Sequence, residues 1–341
     1  MEQEARPAEV SASKRPRFAA RSHAALGKDG DGTEPFVFFV IADPQIGMHA
    51  TFHNGDPLVW KAELDLTQLA VREINRLRPT FAIVVGDMVN EFPASQTGRS
   101  FNEEARRRQI EDTKAAFNET DSEIPVFFLC GNHDVGDAPC EASIAEYRQH
   151  FGEDYYSFWC RGIRLLVMNS CLWKDDKEAK ELREEHDRWL DNELNCRPDS
   201  ESRTIAFCHH PPFLFRDDEP AGYFNLEPSF RMELLKKLRG GGVVACFCGH
   251  YHRNAGGIHR SPEGESLEVV TTSSAGCVIT EKPGIAGDDL LNKVAISGSE
   301  LGPHASGLRI VRVLRDRVEH EWKTFDELAK MQPQDLLVAC A

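Results

Sequence analysis

The sequence predicts a layered α/β fold, and three observations carry that prediction. Continuous apolar, β-rich runs alternate with longer stretches whose apolar residues recur at helical spacing. Strands that are apolar throughout, and are followed by helices, belong to a sheet covered on its face. Five of these runs end in Asp, Asn or His, and in α/β sheets ligands bind beyond the carboxyl ends of the strands.

In chain order, strands are expected at 36–42, 81–86, 126–131, 156–159, 163–169, 204–208, 243–249, 267–274, 308–315 and 318–325. Arg161-Gly162 reads as a hairpin turn between the fourth and fifth of them. Leu64, Leu66, Leu69, Ala70, Ile74 and Leu77 share one helical face, and similar patterns cover 103–118, 141–151, 178–195 and 227–239. No repeat or second linker divides the chain, so one domain is expected over 35–327. Residues 1–34 lack periodicity and read as a disordered tail, and 328–341 as a C-terminal tail. The Gly- and Pro-containing stretch 280–306 reads as a weakly structured surface insertion.

Composition narrows the function. The 341 residues are 41% hydrophobic and hold no apolar stretch long enough to span a membrane. A net charge of −15 argues against broad polyanion binding, although a bound metal would supply a local positive site. Most of the ten cysteines sit in apolar strand-like runs, as free thiols in a reducing compartment do. Cys246 and Cys248 form a C-x-C pair with no second pair at ligand spacing, so they read as core residues rather than a zinc site. A cytoplasmic location is expected, and the basic cluster SKRPRFAAR (13–21) is a candidate nuclear-import signal or simply a solvated charge run.

The chemistry is concentrated where strands stop. The first ends in Asp43 and Gln45, the second in GDMVN with Asp87, and the third in GNHD with Asn132, His133 and Asp134. Later ones end in CHHPP, with His209 and His210, and GHYH, with His250 and His252. Any one of these is commonly an ordinary turn. Five at one sheet edge supply the mixture of imidazole and carboxylate that a divalent cation takes.

This ordered set resembles the calcineurin-like metallophosphoesterase superfamily over about 37–325. DPQIG, GNHDVG, DYYSFW and GHYHRNAGG are similar to a serine/threonine protein phosphatase within it. The resemblance implies a four-layer αββα sandwich and two divalent ions (Mn, Mg, Fe or Zn). It gives Asp43 and His252 to the first metal, Asp87 to both, and Asn132, His209 and His250 to the second. A water activated between the ions would be the nucleophile, His133 the general acid, and Asp134 a group that orients it.

The sequence departs from that family in three places. Gln45 stands where most members have histidine, which implies either a weaker, oxygen-rich position favouring Mn²⁺ or Mg²⁺, or a glutamine that only hydrogen-bonds a metal-bound water. Asn90 stands where an aspartate would pair with the acid histidine. The phosphate-gripping arginines are absent, leaving Arg253 and Asn254, together with Asn90, as candidate substrate-binding residues. His49 and His53 are expected at the rim, and Trp60, Tyr223 and Phe224 near the substrate mouth.

The leading expectation is a phosphomonoesterase acting on phosphoprotein. A phosphodiesterase or nucleotide pyrophosphatase, and a metal-impaired scaffold marked by Gln45 and Asn90, are the other readings.

Overall fold

The computed structural model describes residues 26, 30, 32–96, 100–196, 203–261 and 264–337. Nearly all of the expected N-terminal tail lies outside them. The strands, in chain order, begin with β1 (Phe36–Ile41), β2 (Phe81–Val85), β3 (Val126–Leu129), β4 (Tyr156–Cys160), β5 (Ile163–Val167) and β6 (Thr204–Phe207). They continue with β7 (Val243–Cys248), β8 (Ala255–Arg260), β9 (Ser266–Thr271), β10 (Val278–Glu281), β11 (Ile296–Glu300), β12 (Gly307–Val313) and β13 (Val318–Thr324).

Two large sheets form, in the orders β13-β12-β1-β2-β3 and β4-β5-β6-β7-β9-β8. The central strands are parallel (β1 with β2 and β2 with β3; β5, β6, β7 and β9 in succession). Parallel strands require crossovers, and helices supply most of them. These are α1 (Met48–Phe52), α2 (Lys61–Leu77), α3 (Glu103–Asn118), α4 (Asn132–Val135), α5 (Glu141–Phe151), α6 (Cys171–Lys174), α7 (Lys180–Asn195) and α8 (Pro228–Gly240); α9 (Phe325–Leu328) follows the last strand.

The period-two alternation of side chains sorts each strand between two cores. Phe36, Phe38 and Val40 of β1 face the second sheet and pack with Phe158, Leu165, Phe207 and Phe247. Val37, Phe39 and Ile41 face the other way, against Leu66, Ile74 and Ile110 of the helices. The outer face of the second sheet, with Leu166, Ala206 and Cys246, is covered by Leu190, Leu194, Leu234 and Leu238. Helix, sheet, sheet, helix is the αββα sandwich. Both faces of each inner strand are dry, which is why those strands read as unbroken apolar runs.

Three strands escape the sequence pattern. β8 is AGGIHR, with too little apolar character to register, and it pairs antiparallel with β9. β10 and β11 pair with each other at either end of the expected loop 280–306. That segment is ordered by packing: 3-10 turns at Gly287–Leu291 and Lys293–Ala295 bury Leu291 and Ala295. The stretch after 327 is likewise packed, since Leu336 is buried and its carbonyl accepts from Arg312 Nε at 2.6 Å. All nine cysteines among the described residues are free. The sulfurs of Cys208, Cys246 and Cys248 touch at 3.6–3.9 Å inside the core, as packed thiols do. No helix among the described residues is long and apolar enough to cross a membrane.

Candidate metal centre

Three of the five motif-bearing strands, those before Asp43, Asp87 and His250, stop where the backbone turns left-handed. Asp43, Gln45, Asp87, His250 and His252 all have positive φ, between 34° and 68°. Non-glycine residues rarely take this conformation, and such strain concentrates at functional sites. The turn lifts each side chain out of the sheet and over its edge. The glycines of GD, GNH and GH are required by the crowding that follows. A Cβ on Gly86 would lie 2.4 Å from His209 Nδ1, and one on Gly249 would lie 2.8 Å from Asp43 Oδ2.

The side chains meet in two groups that share Asp87. Asp43, Asp87 and His252 form one, and Asp87, His209 and His250 the other; within each, the ligand atoms lie within 4.8 Å of one another. His209 Nε2 is 3.3 Å from Asp87 Oδ2, 3.1 Å from Asn132 Oδ1 and 3.2 Å from His250 Nδ1. His252 Nε2 is 3.6 Å from Asp43 Oδ1.

Main-chain carbonyls aim the rings. His209 Nδ1 donates to Val85 O at 2.9 Å, His252 Nδ1 to Cys277 O at 2.7 Å and His250 Nε2 to Tyr223 O at 3.4 Å. Each bond leaves the other ring nitrogen facing the cluster, the usual way a ligand histidine is oriented. Asp137 does the same for Asn132, accepting from its Nδ2 at 2.7 Å, which turns Oδ1 inward. Carbonyls carry no sequence signature, and Asp137 is marked only by standing just past GNHD; sequence reasoning missed both.

The charges favour a cation. Burial, with Asp87 adding, pushes the Asp43 carboxyl well above the usual range. Burial also opposes charge on Asp87, yet His209 and His133 hold it below that range. Burial likewise opposes charge on His209, but Asp87 overrides it and raises the ring to about 10. Burial lowers His252 to about 4 and His250 well below its ordinary value. Two buried carboxyl groups, the neutral imidazoles of His250 and His252, and His209, whose proton a cation would displace, are the donor set of a hard-to-borderline divalent ion. The residues fit the metals that the family implies.

A model of the calcineurin-like phosphoesterase family matches residues 36–254. The chain belongs to this family. It is 35% identical over 323 residues to the serine/threonine-protein phosphatase CPPED1 of Danio rerio, covering 92% of this chain and 93% of that one. The Bos taurus protein of the same name is 35% identical over 318 residues, 91% of this chain and 90% of that one. A dimetal phosphatase of known structure from Danio rerio shares the fold, with a TM-score of 0.50 at 17% identity over 86% of this chain and 97% of its own. The chain is accordingly a metal-dependent phosphoric ester hydrolase, of a family that uses a dinuclear metal centre.

Around that family core the departures take definite form. Gln45 is buried; its Nε2 lies 3.1 Å from Asn90 Oδ1 and 3.0 Å from His133 Nε2. Its Oε1 has no hydrogen-bond partner among the described residues. A buried carbonyl oxygen left unpaired beside the cluster is what a metal ion or its water would satisfy. Asn90 reaches His133 through its main-chain carbonyl, which accepts from Nδ1 at 2.6 Å, while its side chain is occupied by Gln45 and by Thr51 Oγ1 at 2.9 Å.

Asp134 does not orient His133, as the sequence had suggested. Its carboxylate accepts from the main-chain N–H of Asp87 (2.8 Å), Met88 (3.0 Å) and Gly131 (2.8 Å). Burial and Asp87 raise its pKa to about 7, and its work is to tie two ligand loops together.

A cavity of about 190 Å³ opens over the cluster, lined by Asp87, His133, His250, His252, Asn90 and Gln45, with Phe52, Tyr223, Phe224, Ile279, Ile296 and Lys293 as further walls. Arg253 and Asn254 do not line it. Arg253 is buried over the Tyr251 ring at 3.8 Å and pairs with Glu281 at 3.0 Å, while Asn254 Oδ1 accepts from Ser273 N and Arg309. Left-handed His250 and His252 turn the chain so that the residue after GHYH points into the structure. Tyr223 and Phe224 are at the mouth as expected, whereas Trp60, His49 and His53 line a separate cavity. His210 packs behind the site, its ring centroid 4.4 Å from that of His250.

Proposed function

We propose that this chain is a dinuclear metal-dependent phosphomonoesterase that removes phosphate from phosphoserine or phosphothreonine in proteins. The observation that carries the reading is the sharing of Asp87 between two groups of ligand atoms. Asp43, Asp87 and His252 would hold one ion, and Asp87, Asn132, His209 and His250 the other, with Gln45 Oε1 beside them. Bound there, the ions would supply activated water at neutral pH and offset charge on the phosphoryl oxygens.

The chain's own groups do the rest. His133 N donates to Asp87 Oδ1 at 2.9 Å, which sets the shared carboxylate. The His133 ring faces the cavity and serves as general acid. Burial lowers its pKa, Asp87 opposing, and the acid form is the ring that carries a proton at both nitrogens. The Asn90 carbonyl at Nδ1 holds the ring and stabilises the charged form. Passing that proton to the leaving alkoxide is worth about 10²–10⁴-fold.

Two things support a phosphorylated side chain as substrate. The relatives over nine-tenths of the chain are named serine/threonine phosphatases. The cavity, at about 190 Å³, is smaller than the roughly 300–1,000 Å³ that buries a drug-sized ligand, and so suits a phosphorylated side chain better than a whole nucleotide. The test is hydrolysis by Mn²⁺-loaded protein of p-nitrophenyl phosphate, bis-p-nitrophenyl phosphate and phosphoserine peptides, with Asp87→Asn as control. Monoesters and peptides should be cleaved and the variant should be inactive. Preference for the diester, or an active Asp87→Asn, would overturn the reading.

A further inference from the structure

The family core accounts for the metal ligands but for no cationic group that would grip a phosphate, and Arg253 is committed elsewhere. Among the described residues lining the cavity, Lys293 is the one ammonium or guanidinium. It comes from the 280–306 segment. The β10–β11 unit that carries it, from Val278 to Glu300, is not a loose loop over the site but is tied to the surrounding chain at three points. Ile279 N donates to His252 O at 3.4 Å, Phe224 N to Leu291 O at 3.2 Å, and His53 Nε2 lies 3.2 Å from Ser299 Oγ. The 3-10 turn Lys293–Ala295 is seated by buried Ala295, whose carbonyl accepts from Lys282 N at 2.8 Å.

The Lys293 ammonium stands 3.8 Å from the centroid of the Tyr223 ring. Tyr223 OH in turn lies 3.3 Å from Nδ2 of Asn132. A cation over an aromatic face is held near one position. An exposed side chain so placed brings charge to the cavity mouth without the cost of burying it. The neighbouring walls, Phe52, Phe224, Ile279 and Ile296, are apolar.

We propose that Lys293, held on Tyr223 by the β10–β11 segment, is the phosphate-binding residue of this site and selects phosphomonoester dianions over phosphodiester monoanions. The inference rests on the phosphomonoesterase reading above and adds the residue that reads the substrate's charge. A second negative charge is what distinguishes a monoester from a diester near neutral pH, and a single ammonium placed beside the phosphoryl group is sensitive to it.

The test uses full-length, Mn²⁺-loaded protein and inorganic phosphate as the probe, with Lys293→Met, Lys293→Arg and Lys282→Met. The last removes an equal charge from the same segment away from the cavity. Lys293→Met should weaken calorimetric phosphate binding, and raise KM for p-nitrophenyl phosphate, each by roughly tenfold. Metal content, melting temperature and bis-p-nitrophenyl phosphate turnover should stay near wild type. Lys293→Arg should restore most of the binding, and Lys282→Met should match wild type. Phosphate affinity in Lys293→Met equal to wild type, with wild-type protein binding phosphate and hydrolysing the monoester, would overturn this inference alone. A wild-type protein that neither binds phosphate nor cleaves the monoester would overturn the phosphomonoesterase reading, and this inference with it.

Discussion

Replacing Gly131 by alanine removes no ligand, yet it should disable the site. Gly131 begins the GNHD motif, and its φ of −107° is open to any residue, so backbone strain plays no part. What forbids a side chain is space. A Cβ there would lie 2.2 Å from Asp87 Oδ1, 2.5 Å from Asp87 N and 2.7 Å from His209 Cε1, where real Cβ contacts are essentially never under 3.0 Å. Relieving the first contact alone needs 3.0 − 2.2 = 0.8 Å of movement in the carboxylate shared by both ligand groups. Misplacing a reacting group by about 1 Å can cost on the order of 10²-fold. Gly131→Ala should therefore lower kcat/KM for p-nitrophenyl phosphate by about that factor and reduce bound metal. Gly240→Ala is the control: nothing lies within 4 Å of its Cβ, and activity should not change. If Gly131→Ala kept its metal and stayed within about threefold of wild type, the packing argument would be wrong.

Arg253→Met should leave KM for the monoester within about twofold of wild type, because the guanidinium pairs with Glu281 rather than facing the cavity; it should lower the melting temperature instead. In the metal-free protein His209 is held protonated up to about pH 10 by Asp87, so a cation must displace that proton. Metal affinity should rise with pH, and calorimetry in buffers of different ionisation enthalpy should detect proton release; buffer-independent heats would refute this. His186 is buried beside Tyr155, Trp173 and Trp189, and burial lowers its pKa to about 4, Asp187 opposing. Below pH 6.5 the unfolded chain takes up a proton that the folded one refuses until about pH 4, so stability falls across that window by roughly 3 kcal/mol. Denaturant melts of His186→Gln should show a flatter acid limb than wild type; identical slopes would rule out this residue as the cause.

The sequence by itself determined the layered α/β architecture and which polar residues gather where the strands end. Unbroken apolar runs such as FVFFVI require strands buried on both faces, and the polar groups that end them can only lie along one edge. β8, β10 and β11 were not legible because edge and two-stranded pairings leave little hydrophobic pattern; their neighbours decide them. Which way a side chain points once its strand has ended belonged to tertiary structure alone. Position after GHYH suggested Arg253 for the substrate, but left-handed backbone turned it onto Tyr251, and Lys293 reached the cavity from a segment whose composition suggested only a loop. Spacing along a strand fixes alternation, whereas the direction of a residue beyond its end depends on φ and on what the rest of the chain packs against it.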